Sequence, residues 1–204
     1  MENIQDGAGS QPASPQRAAR KSASIVSAIV GASLALSACS SSGAEQEEVL
    51  NAYGLEGMDA REIIDYLDQQ PIAERPTDLM ASVRSEELIL SNQAGEVTLA
   101  MPEDRSYVSV APFVSQTHDC YYHSLTTCVG ELDNESVEVS VFDEETGTTL
   151  VDGPATTFDN GFAGFWVPRG SAGTITVNYQ GLEGTTEFAT GTEDATCITD
   201  LRLS

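Results

Sequence analysis

The chain has 204 residues, 9 basic and 32 acidic, for a formal net charge of −23 at pH 7. Nucleic-acid affinity rests on neutralising phosphates with Lys and Arg, so this balance excludes a nucleic-acid partner. The acidic surface instead keeps a domain soluble and concentrates cations around it.

The N-terminus reads as a targeting segment. Arg17, Arg20 and Lys21 form a positive patch, and Ser22 to Ala38 is a charge-free apolar run closing on Leu36-Ser37-Ala38-Cys39. That pattern resembles a bacterial lipoprotein signal, in which cleavage leaves a diacylglyceryl cysteine at the front. Residues 1–38 are therefore expected to be a signal peptide, Cys39 the lipidation site and 39–46 an acylated tether. An uncleaved signal-anchor is the alternative, although the run is at the short limit for a span. Both readings leave the remainder extracytoplasmic, because the positive flank stays inside.

Residues 47–105 read as an N-terminal α+β part. A weakly periodic acidic helix ends at Gly54. Asp59 with Glu62 three residues on forms a capping box for a second helix, whose apolar stripe is Ile63, Ile64 and Leu67 and whose stop is Pro71. Apolar runs near Met80–Leu90 and Val97–Met101, joined by Asn92 to Gly95, predict a hairpin.

Residues 106–204 read as a β-rich metal-binding domain. Tyr107 to Val110 alternates and leads into a cysteine and histidine cluster, and Ser136 to Phe142 alternates cleanly. Asp159-Asn160-Gly161 carries the signature of a type I′ hairpin. Short strands at this spacing predict an antiparallel, immunoglobulin-like β-sandwich with Trp166 in its core. The fold class is α+β.

The cluster is THDCYYHSLTTC, Thr117 to Cys128, which holds both histidines of the chain, His118 and His123, together with Cys120 and Cys128. If the preceding strand continued to Cys120, His118 and Cys120 would share a face. With Cys39 assigned to lipid, three cysteines remain, Cys120, Cys128 and Cys197. An odd count in an oxidising compartment asks for a partner, a metal or a reaction. Thiolates with imidazole suit Cu(I) and would also accept zinc, and they point away from magnesium and calcium. Thiols can also reduce Cu(II) by closing to a disulfide. The structural alternative is a Cys120–Cys128 staple with Cys197 buried and inert, in a disulfide-stabilised extracellular binding module. A thiol oxidoreductase is weaker, because no Cys-x-x-Cys opens a helix.

Tyr107 to Leu132, YVSVAPFVSQTHDCYYHSLTTCVGEL, together with the lone Cys197 near the C-terminus, resembles the signature of the CueP family of extracytoplasmic copper-binding proteins. The resemblance implies a copper-resistance protein that holds copper through Cys120, Cys128 and Cys197, with His118 and His123 as further ligands. It implies reduction of Cu(II), delivery to a copper-accepting protein such as a superoxide dismutase, and a V-shaped homodimer. The lipoprotein-like leader departs from the soluble members, so membrane attachment through Cys39 is the expectation specific to this chain.

Overall fold

The computed structural model describes residues 41–204, so the signal segment and Cys39 lie outside the described residues. Helix α1, Ser41–Ala52, begins within the stretch read as a tether, and Gly54 at φ 67° follows its end. Helix α2, Ala60–Asp68, starts at the expected capping box: the Asp59 carboxylate accepts from the Glu62 N–H, and the Glu62 side chain accepts from the Asp59 N–H. None of the described helices is long and apolar enough to cross a membrane.

The apolar stripe of α2 lies over a four-stranded sheet of order β3-β2-β1-β5. Its strands are β1 (Met80–Val83), β2 (Glu87–Ser91), β3 (Glu96–Ala100) and β5 (His123–Ser124). The run Met80–Leu90, expected as one strand, is two: the polar triplet Arg84-Ser85-Glu86 turns the chain, and the Arg84 N–H donates to the Glu87 carbonyl at 2.9 Å. The Asn92–Gly95 turn forms as expected, with the Asn92 N–H donating to the Gly95 carbonyl. Ile63, Ile64 and Leu67 pack with Ala81, Val83, Leu88, Leu90 and Leu125 into a buried cluster. Fully burying each of the Leu, Ile and Val side chains stabilises by about 1.5–3 kcal/mol before conformational entropy is counted.

Two further sheets make the sandwich. One has the order β10-β9-β6-β7, from β6 (Ser136–Asp143), β7 (Thr148–Thr156), β9 (Ala172–Tyr179) and β10 (Leu182–Ala189). The other has the order β11-β4-β8, from β4 (Arg105–Val110), β8 (Ala163–Pro168) and β11 (Cys197–Ile198). Alternation places Val137, Val139 and Val141 of β6 on the inner face, against Val108, Val110, Val167, Ile175, Val177 and Leu201.

Strand β4 is buried from Ser106 to Val110 because the sheet it belongs to is covered on both sides. Val108 and Val110 face the sandwich core, whereas Tyr107 belongs to the cluster beneath the helices. Trp166 sits opposite Tyr107 in the β4–β8 ladder, with ring centroids 5.0 Å apart. The expectation of Trp166 inside the sandwich core is therefore corrected. Its face of β8 points to the helical layer, where its indole N–H donates to Asp65 at 2.7 Å.

The Asp159-Asn160-Gly161 turn also differs from expectation. It connects β7 to β8, which lie in different sheets, and only Gly161 has positive φ, at 76°. A type I′ hairpin needs positive φ at both central residues. Asn160 is instead fully buried, held by a hydrogen bond to Asp68.

Candidate metal centre

Three segments meet at the junction of the layers. The first is the chain that leaves β4. The strand stops at Val110, before Pro112, and does not continue to Cys120 as the shared-face expectation required. Beyond it the N–H groups of Val114, Ser115 and Gln116 all donate to one carboxylate oxygen of Glu131, at 2.7, 2.8 and 3.1 Å. A chain whose donors are taken by a side chain is not free to form a ladder. The Thr117 hydroxyl then donates to the Thr199 carbonyl, which delivers His118 and Cys120 to the junction as loop residues.

The second segment is β5, which runs back to pair with β1 and so places His123 under α2. The turn after it closes with the Cys128 N–H donating to the Ser124 carbonyl at 3.1 Å. The third is β11, which lies parallel to β4 with Cys197 opposite Ser109. The N–H groups of Thr196 and Cys197 both donate to the Tyr121 carbonyl, and the Thr196 hydroxyl accepts from the His123 N–H. The two halves of the cluster are therefore tied together by backbone bonds, and Cys197 arrives on a C-terminal strand.

All five expected residues reach this junction. Ligand atoms of His118, Cys120 and Cys128 lie within 4.8 Å of one another, and so do those of His123, Cys128 and Cys197. The Cys120 and Cys128 sulfurs are 3.5 Å apart, and Cys197 Sγ is 3.8 Å from His123 Nδ1. Cys120 and Cys197 are joined as a disulfide, with Cα atoms 5.7 Å apart, and among the described residues Cys128 is the free, buried thiol. The alternative with a Cys120–Cys128 staple and an inert Cys197 has the wrong pairing.

His123 is completely buried, and its Nε2–H donates to Asp68 Oδ1 at 2.9 Å. That bond leaves Nδ1 turned toward the sulfurs, the arrangement in which a carboxylate orients a histidine ligand and raises its basicity. Asp68, itself fully buried, also accepts from the Tyr107 hydroxyl at 2.6 Å and from Asn160 Nδ2 at 2.8 Å, with the Arg75 guanidinium 3.7 Å away. Arg75 reaches on to the Cys128 carbonyl at 3.1 Å.

These contacts set the protonation of the site. Burial would raise the Asp68 carboxyl, but attraction to His123 and the hydrogen bonds from His123, Tyr107 and Asn160 lower it below 3.8. Burial works against the His123 imidazolium, yet Asp68 lifts its pKa from 6.5 to about 9. Burial also raises the Cys128 thiol, and His123, the Ser124 N–H and His118 together bring it from 9.0 down to about 7. The Cys128 thiol is therefore held closer to its thiolate form at neutral pH than an ordinary cysteine.

His118 is held differently. Its Nε2 is buried without a hydrogen-bond partner. The Phe162 ring borders both imidazoles, at 6.1 Å from His118 and 4.6 Å from His123. Asp68, Tyr107, Asn160 and Arg75 were not among the expected site residues. Asp68 is 55 residues from His123 and sits at a helix end, where an acidic side chain reads as a solvated one.

Donors of this kind, thiols with imidazoles, fit a soft or borderline ion. Comparison with known proteins agrees. Residues 62–202 match the family described as periplasmic copper-binding protein CueP. The crystal structure of S.CueP is similar at 37% sequence identity and a TM-score of 0.72, over 78% of this chain and 96% of that one. Among curated proteins no significant match is found. The matched residues contain every cysteine and histidine of the junction, and on that ground the chain belongs to the CueP family of periplasmic copper-binding proteins.

Proposed function

We propose that this chain holds Cu(I) through the thiolates of Cys120, Cys128 and Cys197, with His118 and His123 as supporting ligands. The single observation that carries the reading is the pair of ligand sets, each within 4.8 Å, that share Cys128. Asp68 supports it by fixing the His123 ring with Nδ1 toward the sulfurs.

The same residues can reduce Cu(II). Two thiolates give up one electron each to two Cu(II) ions, leaving two Cu(I) ions and one disulfide, and any thiol protons pass to water. Cys120 and Cys197 are the pair that would close, and Cys128 stays free to retain one of the ions. Zinc is the competing ion, since three thiolates and an imidazole suit it as well. Delivery to a copper-accepting protein completes the role, carried out from the membrane surface through a lipid on Cys39.

The disulfide also favours a second reading, an extracellular β-sandwich module in which the cysteines only staple. The orphaned Nε2 of His118 and the buried Asp68–His123 pair count against it, because a staple uses neither. The test is competition for Cu(I) with a chelator, comparing the reduced wild type with the variant in which all three cysteines are serine. The copper reading predicts that the variant loses its copper to the chelator, and equal retention by both proteins would overturn it.

A further inference from the structure

The five ligands do not form one set. His118 groups with Cys120 and Cys128, His123 groups with Cys128 and Cys197, and among the described residues no group holds both histidines. We propose that the site works in two positions: an incoming Cu(I) ion is held first by His118, Cys120 and Cys128, then passes to His123, Cys128 and Cys197, with Cys128 bound throughout. This rests on the copper-binding reading above and adds an order to it.

Exposure separates the two positions. His118 and Cys120 are half-buried, whereas His123, Cys128 and Cys197 are buried. The outer residues also border the surface. His118 lines an opening with Gln116, Thr117, Val129 and Glu131. Cys120 lines a second opening, whose rim carries Asp119, Glu187 and Asp200 and at whose floor the buried Cys197 also lies. Three exposed carboxylates beside a sulfur raise the local concentration of cations.

The histidines are mounted to match. His123 is anchored by Asp68, so its Nδ1 is a fixed donor suited to a resting position. His118 has no such anchor, and its buried Nε2 is left with a lone pair or a proton unused. An unsatisfied buried nitrogen is costly, and a bound ion would offset that cost.

The shared thiolate makes the transfer possible without release to water. With Cys128 bound, His118 and Cys120 can be exchanged one at a time for Cys197 and His123, so the ion stays bound to protein throughout. The step moves no electrons. It runs on the chain whose Cys120–Cys197 disulfide has been opened by a two-electron thiol reductant, which is itself oxidised to a disulfide, and any thiol proton displaced by the ion leaves to solvent.

The experiment uses the reduced full chain and Cu(I) supplied as its bicinchoninate complex, with transfer followed by loss of the complex's colour. His118→Gln is expected to slow initial transfer about tenfold while changing final retention less than about threefold. His123→Gln is expected to do the reverse, lowering retention about tenfold with the initial rate kept. Equal losses of retention from both replacements, with rates unchanged, would show a single shared position and overturn the proposal. Should His123→Gln fail to fold, Asp68→Asn unhooks the ring without removing it and is expected to give the same pattern. A wild-type chain that takes no copper would sink the copper-binding reading itself, and the two-position order with it.

Discussion

Asp68, the last residue of α2, accepts a hydrogen bond at 2.9 Å from His123, which lies 55 residues further along the chain. Through this contact the helical layer decides which nitrogen of the imidazole faces the sulfurs. Asp68→Asn weakens the orientation while keeping the volume, and it is expected to lower Cu(I) retention about 10- to 100-fold in chelator competition. Asp68→Ala leaves His123, Tyr107, Asn160 and Arg75 facing a void, and removing one partner of a buried charge pair costs about 3–5 kcal/mol. Urea unfolding measures that loss.

Titration gives a second prediction. In the metal-free chain with its disulfide intact, alkylation of Cys128 should follow a midpoint near the lowered value of about 7. His123→Gln should move the midpoint up toward 9.0, because the imidazolium that supports the thiolate is gone. An unchanged midpoint in that variant would mean that His123 does not set the thiolate.

The same shifts have opposite signs for stability. His123, raised from 6.5 to about 9, contributes stability that is present below pH 6.5 and lost as pH rises through about 9. Cys128, lowered from 9.0 to about 7, contributes stability that is present above pH 9.0 and lost as pH falls through about 7. The two oppose each other over the same window, so metal-free stability should be nearly level there. Asp68 is lowered below 3.8, so its contribution is lost only as pH falls through that depressed value. Thermal midpoints of wild type and Asp68→Asn across pH should therefore converge in acid.

Much of this fold is legible from local pattern. The capping box of α2, the Asn92–Gly95 turn and the alternation of β6 are each set by neighbours in sequence, and each forms as expected. The residues that meet at the junction are legible too, because histidine and cysteine are scarce in this chain. The partners of those residues are not. Asp68, Asn160 and Tyr107 are chosen by tertiary packing, and nothing in their local sequence distinguishes a buried hydrogen-bond partner from a surface residue or a turn former. Asn160 shows why: its Asp-Asn-Gly context promises a hairpin, but the buried carboxylate of Asp68 takes its side chain and the turn links two sheets instead. The cysteine pairing likewise depends on β11 lying beside β4, a parallel contact that no local signal announces.

Two glycines supply a further prediction. Gly161 has φ 76°, and a Cβ there would meet the Gly130 backbone at 2.7 Å. Gly161→Ala therefore combines a strained backbone, roughly 1–3 kcal/mol, with a clash that pushes Asn160 away from Asp68. Urea unfolding should show the loss of stability, and chelator competition should show weaker copper retention. Gly147→Ala, where φ is 65° but nothing lies within 4 Å of the added carbon, is the control and should affect stability alone.

The disulfide separates stapling from copper holding. It links residues 77 apart, and opening it should cost the metal-free chain roughly 2–4 kcal/mol. Cys128→Ser leaves the disulfide in place, so the oxidised variant should keep most of its stability. In the reduced state, however, it should lose copper, because Cys128 belongs to both ligand sets.

X-ray absorption at the copper edge of the reduced chain, loaded with one equivalent of Cu(I), tests the central claim most directly. Sulfur should dominate the first shell in the wild type and decline in each of Cys120→Ser, Cys128→Ser and Cys197→Ser. A first shell of nitrogen and oxygen, or one that none of the three replacements alters, would contradict the account.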